Sequence, residues 1–145
     1  MKNINKKTFA IISIIILVII VGIIILVNVI GNKPLSQEEK LEELFTTMSV
    51  EYYEDHYYNL VGTTQEERES FLKKIKSTGI QFSLDSLSRY NAEVNKKRIE
   101  EFVNLETNEK CDIYETTAVV YPKEPYKKDS YEIKVKLDCG FKKEK

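Results

Sequence analysis

The pattern of apolar and polar positions divides the chain into two parts. From Phe9 to Ile30 the sequence carries no charged residue, and only Ser13, Gly22 and Asn28 interrupt the apolar run. As an α-helix, this run would extend ~33 Å at ~1.5 Å per residue, enough to cross a hydrocarbon core ~30 Å thick. It is longer than the ~7–15 apolar residues of a usual signal peptide. Val29-Ile30-Gly31 resembles a weak cleavage site, so a cleaved signal peptide is the alternative. The sequence therefore predicts a transmembrane helix over residues 9–30.

The charges that flank this segment predict its orientation. Three lysines lie within residues 1–8, whereas Lys33 is the one basic residue between the apolar run and the acidic part of the chain. Basic flanks remain in the cytoplasm. We therefore expect a single-pass protein of the cell membrane with a cytoplasmic amino terminus, a linker over 31–36 and an extracytoplasmic domain over 37–145. The lipid bilayer is its first expected partner.

Beyond the linker, apolar residues recur at spacings of three and four and predict three helices. Before each of the first two helices, a Ser or Thr is followed three residues later by Glu, and such capping boxes mark helix starts. Gly62 follows the first helix and Gly79 the second, as expected of residues that end helices. The predicted ranges are Gln37–Leu60, Gln65–Ser77 and Asn91–Asn104.

Alternation of apolar and polar residues predicts about three strands. Ile80, Phe82 and Leu84 alternate in the first. The last runs from Tyr131 to Phe141 and its partner from Cys111 to Pro122, with a polar loop between them. Half-buried strands of this kind form antiparallel sheets with one wet face. The predicted fold class is therefore α+β: a transmembrane helix, then a small domain with about three helices packed on an antiparallel sheet of about three strands.

The two cysteines, Cys111 and Cys139, bracket the predicted hairpin. Placing them directly opposite each other also opposes Ile113 to Leu137, Thr117 to Ile133 and Val119 to Tyr131. Opposed residues are close enough for a disulfide, which an extracytoplasmic compartment permits. Two buried free thiols remain an alternative, whereas two cysteines and one distant histidine do not complete a zinc set, and C-x-x-C spacing is absent. We predict a structural disulfide and no metal.

The segment "VEYYEDHYYN", Val50 to Asn59, concentrates four tyrosines and the one histidine of the chain. On a regular α-helix, Tyr52 and His56 continue an apolar stripe made by Leu41, Leu44, Phe45 and Met48. Tyr53 and Tyr57 fall on an adjoining flank, and Tyr58 falls among acidic residues. The favoured interpretation is a core face that widens, because tyrosine suits a core edge where the ring is buried and the hydroxyl stays wet.

An alternative interpretation of the same tyrosines is an aromatic binding surface for a sugar, a peptide or a partner protein. The segment "YPKEPY" could add two more rings at the tip of the hairpin, although a stiff turn explains it as well. The candidate residues are Tyr53, Tyr57, Tyr58, Tyr121 and Tyr126. Catalysis by His56 is a weaker alternative, because no carboxylate lies three or four residues away on its helix.

Charge and motifs narrow the function further. All 23 acidic residues follow Lys33, and 18 of the 22 basic residues do so too. The net charge of this part of the chain is therefore about −5. Such a domain is a poor candidate for binding nucleic acid, which requires phosphate neutralisation. Neither a G-x-S-x-G elbow nor a glycine-rich phosphate loop is present in the sequence. We therefore expect no cofactor and no enzymatic activity.

The basic start, the isoleucine-rich span, "EYYEDHYY" and the "YPKEPY … DCGF" ending resemble small membrane-anchored proteins of AT-rich bacteria. This resemblance implies no activity. A weaker likeness is to type IV pilins, which also combine an amino-terminal apolar helix, an antiparallel sheet and a disulfide near the carboxyl end. The chain departs from pilins because no glycine stands at a leader boundary around Lys7-Thr8 and no glutamate lies early in the apolar run.

Together these observations lead us to expect a membrane-anchored, extracytoplasmic module that is not an enzyme. It would bind an envelope protein or peptide partner, or support an envelope assembly. A pilin-like assembly subunit and an envelope enzyme without a recognisable catalytic motif are the alternatives.

Overall fold

The computed structural model of the protein describes residues 34–141. The amino terminus that is predicted to be cytoplasmic, the predicted transmembrane helix over 9–30 and the first half of the linker lie outside this range. No helix within the described range has the length and apolar character that crossing a membrane requires. The predicted anchor therefore remains a prediction from the sequence.

Two of the helices begin at the predicted capping boxes. The Ser36 hydroxyl accepts a hydrogen bond from the Glu39 amide at 3.2 Å, and the Glu39 carboxylate accepts one from the Ser36 amide at 2.7 Å. Thr64 and Glu67 make the same reciprocal pair before the next helix. The helices are α1 (Gln37–Tyr52), a π-helical turn (Tyr53–Tyr57), α2 (Tyr58–Leu60), α3 (Gln65–Ile75), α4 (Leu84–Arg89) and α5 (Ala92–Ile99).

The strands form two antiparallel groups in the described range. They are β1 (Ile80–Ser83), β2 (Val103–Asn104), β3 (Glu109–Lys110), β4 (Thr117–Pro122) and β5 (Tyr131–Lys136). A three-stranded sheet has the order β1-β4-β5, and β2 pairs with β3 in a separate short hairpin. The predicted α+β domain with a three-stranded antiparallel sheet is thus confirmed, whereas α4 and the β2–β3 hairpin were not predicted.

One face of the sheet packs under α1 and makes the core. Alternate β4 residues Ala118, Val120 and Pro122 are buried, as are Ile80 and Phe82 of β1. On β5 the apolar residues are half-buried and alternate with exposed Glu and Lys, as predicted. Helix α1 contributes Leu41, Phe45 and Met48 to the same core.

The predicted register of β4 on β5 was wrong by three residues. Val120 opposes Ile133 and Ala118 opposes Val135, so it is these β4 residues that share the apolar face, and not Thr117 and Val119. The predicted pairing holds just beyond β4, where the Asp112 amide donates to the Asp138 carbonyl at 2.8 Å. Residues 113–115 form a turn between Asp112 and β4, and these three residues account for the shift in register. An apolar–polar pattern does not reveal such an insertion.

The start of that turn is stabilised by Asp112. Its carboxylate accepts hydrogen bonds from the amides of Tyr114 and Glu115 at 2.8 and 3.0 Å. These two bonds favour the charged form, since each donor points at the carboxylate, and they lower the pKa of Asp112. The turn is therefore encoded by an Asp that folds its own backbone, a common use of this residue.

The predicted helix over Gln37–Leu60 ends where expected, but its phase changes within it. The Tyr58 amide donates to the carbonyl of Tyr53, five residues back, which defines a π-helical turn. A π turn holds one residue more than an α turn. The residues that face the core after it are therefore one position later in the sequence than α-helical spacing predicts. Tyr53, four residues after buried Ser49, is buried at α-helical spacing; the next buried side chain is Tyr58, five residues later, while His56 is exposed. The prediction that His56 continues the core stripe was wrong for this reason.

Candidate binding cleft

An open cleft of about 440 Å³ lies where the π-helical turn faces the junction of α4 and α5. This volume falls within the range of ordinary ligand sites, ~300–1,000 Å³. The residues that line it are Tyr52, His56, Asp85, Ser86, Arg89, Tyr90 and Asn91. Two of them, Tyr52 and His56, come from the tyrosine-rich segment, and the other five lie between Asp85 and Asn91, in α4 and just after it.

Three rings form an aromatic wall in this cleft. The centroids of Tyr52 and Tyr90 lie 5.1 Å apart, with the rings edge to face. His56 lies 5.2 Å from Tyr52 and 5.5 Å from Tyr90, tilted against both. Tyr52 also packs edge to face on buried Phe82, 4.9 Å away, so the wall is backed by the core. The wall is thus a fixed surface on which a ligand can stack.

Polar groups also line the cleft. The Arg89 guanidinium binds the Asp85 carboxylate at 2.6 Å, with the arginine 74% exposed and the aspartate 20% exposed. The Asn91 side chain makes no hydrogen bond to any residue that the structure describes. The cleft therefore offers hydrogen-bond donors and acceptors whose charges nearly cancel.

The three residue types of a hydrolytic triad meet in the cleft without the geometry of one. The Ser86 hydroxyl donates to the Ser83 carbonyl at 2.7 Å and accepts from the Ser83 amide at 3.0 Å, because it caps α4. Asp85 is paired with Arg89, and His56 makes only ring contacts among the described residues. A triad requires nucleophile, base and orienting acid to be hydrogen-bonded in series, and these three residues are not.

A buried asparagine holds the α4–α5 side of the cleft in place. Asn95 is 1% exposed, and its amide donates to the carbonyl oxygens of Leu87 at 3.0 Å and Tyr90 at 2.7 Å. The bond to Tyr90 pairs a carbonyl just beyond the end of α4, where an unpaired buried carbonyl would be costly, whereas the Leu87 carbonyl also accepts from the Tyr90 amide at 3.2 Å. Asn95 is therefore a positioning residue for the Tyr90 ring.

An ion pair joins the two sides of the cleft. Arg98 of α5 binds Glu51 of α1 through both guanidinium nitrogens, at 2.6 and 3.3 Å. Hydrogen bonding to Glu51 raises the pKa of Arg98 above its ordinary value. Glu51 directly precedes Tyr52, so this bidentate contact fixes the spacing between the aromatic wall and the Asn95–Tyr90 junction.

The five tyrosines of the predicted aromatic surface do not form one exposed patch. Tyr53, Tyr58 and Tyr126 are buried, while Tyr57 and Tyr121 are half-buried. Ring contacts of 6.3 Å join Tyr53 to both Tyr57 and Tyr58, whereas Tyr121 lies under the Lys134 ammonium, 5.4 Å from its ring centroid. Most of these rings serve the core, and whether Tyr57 or Tyr121 contacts a ligand stays a prediction.

A second cleft, of about 520 Å³, lies on the other side of the π-helical turn. It is lined by Tyr58, Gln65, Glu69, Lys127, Lys128 and Asp129. Its one ring, Tyr58, is buried, and Lys128 is already 3.2 Å from the carboxylate of Asp55. This cleft offers little aromatic surface, so we regard the first as the better candidate.

The predicted disulfide is confirmed. Cys111 and Cys139 are bonded, with their Cα atoms 4.0 Å apart, and both are buried. Buried Asn104 supports the bond, because its amide donates to the Cys139 carbonyl at 3.0 Å. Among the described residues no cluster of His, Cys, Asp and Glu could hold a metal ion.

Most of the cleft was not found from the sequence. Tyr52 and His56 were singled out but assigned to the core, and the stretch from Asp85 to Asn91 was not recognised as functional. One available signal was Tyr90-Asn91, which lies between two short helical patterns. Asparagine tolerates a left-handed backbone, and Asn91 has φ of 45°.

Comparison with protein-family models, curated proteins and solved structures finds no match for this chain.

Proposed function

We propose that this protein is a membrane-anchored, extracytoplasmic binding module that is not an enzyme and that holds its ligand in the cleft beside the π-helical turn. The observation that carries the proposal is the aromatic wall of Tyr52, His56 and Tyr90 facing the polar groups of Arg89 and Asp85. Apolar surface combined with a few convergent polar groups is the usual composition of a ligand site.

Two features support the placement outside the membrane. The uncharged run over residues 9–30 follows a basic start, which favours a cytoplasmic amino terminus. The buried Cys111–Cys139 bond is typical of an oxidising compartment. A domain held outside a membrane by a single helix is suited to binding something in the envelope or at its outer face.

The proposed placement is tested with intact cells that express the full chain. Protease added outside should digest the domain beyond Pro34 and leave the amino terminus protected. Full protection of that domain would contradict the orientation. A soluble species starting near Asn32 would instead show cleavage after the apolar run.

The proposed binding site is tested with the full chain in detergent by melting temperature, against soluble saccharides, short peptides and organic amines. A ligand of the cleft should raise the melting temperature of the wild type and of Tyr114→Ala, since Tyr114 is exposed outside the cleft. It should have a much smaller effect on His56→Ala and Arg89→Ala, which alter exposed side chains of the cleft. If no compound distinguishes the cleft variants from the control, the proposed site is wrong.

A further inference from the structure

The chemistry of the cleft also specifies what kind of ligand fits it. We propose that the cleft binds a neutral saccharide, with a sugar ring stacked on the aromatic wall and its hydroxyls on the Asp85–Arg89 pair and Asn91. This inference rests on the proposed binding role and adds the ligand class. Three properties of the lining residues lead to it: charge balance, exposed ring surface and mixed hydrogen-bonding capacity.

The charge balance disfavours a charged ligand. The carboxylate and the guanidinium that line the cleft are 2.6 Å apart, so each neutralises the other. A cation would be drawn to the rings and to Asp85, but the Arg89 guanidinium repels it at the same place. An anion would be drawn to Arg89 but would displace Asp85, which holds the guanidinium. A neutral ligand requires neither rearrangement.

The aromatic wall suits the C–H face of a sugar ring. Aromatic faces carry partial negative charge, and the axial C–H bonds of a pyranose carry partial positive charge on their hydrogens. Tyr52 and Tyr90 are half-buried and His56 is exposed, so each ring retains surface toward the cleft. Their centroids are 5.1–5.5 Å apart, with Tyr52 and Tyr90 edge to face at 77° and His56 tilted by 42° and 38° against them, so a pyranose ring would stack on the face of one ring and contact the edges of its neighbours.

The polar side suits hydroxyl groups, each of which donates and accepts. The guanidinium supplies only donors, a carboxylate supplies only acceptors, and an amide supplies both. Arg89, Asp85 and Asn91 bring all three kinds together in one cleft. Adjacent hydroxyls of a sugar can therefore bridge the ion pair without breaking it, and the exposed Asn91 amide is available to a third hydroxyl.

The experiment is a calorimetric titration of the full chain in a detergent without a sugar headgroup. The neutral probes are N-acetylglucosamine, its tetramer, and the tetramers of cellulose and amylose; the charged probes are glucosamine tetramer and galacturonate tetramer. A site that binds a polysaccharide should bind a tetramer more tightly than its monosaccharide. A site for a free monosaccharide should bind the tetramer and the monosaccharide with equal affinity. Saturable binding of any neutral probe, stronger than that of the charged probes, is the expected result.

The variants assign that binding to the cleft. His56→Ala and Arg89→Ala should each weaken it at least tenfold, whereas Tyr114→Ala and Lys96→Ala, at exposed sites outside the cleft, should leave it within twofold. The proposal is overturned if no neutral probe binds, if charged probes bind better, or if the cleft variants bind as well as the controls. A peptide or an amine that depends on the cleft would overturn the saccharide inference while leaving the proposed binding role intact.

Discussion

Removal of the Cys111–Cys139 bond gives the most quantitative prediction. The two residues are 28 positions apart, so the bond closes a loop of about that length in the unfolded chain. The chain-entropy relation assigns such a loop about 3.6 kcal/mol at 25 °C. With an unfolding entropy of ~2.1 cal/mol/K per residue over roughly the described range, this loss lowers the melting temperature by about 15 °C.

The structure also predicts which residues become less stable when the disulfide is removed. The β4–β5 ladder keeps its own register from Thr117–Lys136 to Pro122–Tyr131, so it should survive reduction. The segment before it is joined to the residues after β5 by the disulfide, by the Asp112–Asp138 bond and by the bond from the Asp138 amide to the Thr116 hydroxyl. Amide hydrogen exchange should therefore accelerate around residues 102–116 and at 138–140, and much less in β4 and β5.

The measurement compares thermal unfolding of the oxidised chain, the reduced chain and the double variant Cys111→Ala, Cys139→Ala. Reduction and double substitution should lower the melting temperature by similar amounts, and reductant should not affect the double variant further. Thiol titration of the oxidised, unfolded chain should detect no free thiol, because both cysteines are paired. A shift below about 3 °C in both samples would refute the loop-entropy reasoning for this protein.

The remaining predictions concern single residues, each checked by denaturant unfolding. Tyr53→Ala should cost about 3–5 kcal/mol as a core truncation, whereas Tyr53→Phe should cost less than ~1, because this buried hydroxyl has no partner in the described range. Asn95→Ala should cost about 1–3 kcal/mol, because the Tyr90 carbonyl loses its Asn95 donor while the Leu87 carbonyl keeps the Tyr90 amide; the exposed control Lys96→Ala should change stability by less than ~0.5. Gly79→Ala should cost about 1–3 kcal/mol, because φ is +71° and an added Cβ would lie 2.5 Å from a valine methyl. Burial and a 2.8 Å hydrogen bond to a glutamate raise the pKa of Tyr131; the native state then keeps a proton that the unfolded chain releases above pH ~10, so stability should fall above that pH, and less steeply in Tyr131→Phe.

Local sequence signals predicted local structure well. The capping boxes at Ser36 and Thr64 fix helix starts because the side chain and backbone that pair are three residues apart. The disulfide followed from two cysteines flanking one hairpin. In each case the interacting groups are close in sequence or few in number, so the pattern admits few alternatives.

Two errors in the predicted structure come from inserted residues. The turn at 113–115 shifts the β4 register, and the π-helical turn shifts the helix phase after Tyr53. Periodicity assumes a constant repeat, and an insertion breaks that repeat. The cleft was missed because α4, which carries Asp85 and Arg89, was not predicted and because His56 was assigned to the core.

The π-helical turn connects the core error to the candidate site. If α-helical spacing continued from Met48 through Tyr52, His56 would be the next residue on the core face. The extra residue instead delays the next buried side chain after Tyr53 to Tyr58 and leaves His56 exposed beside Tyr52. A π-helical turn is rare and is frequently found at functional sites. Because the turn borders both clefts, it points to this part of the domain, and it is the three rings of the first cleft that favour that cleft over the second.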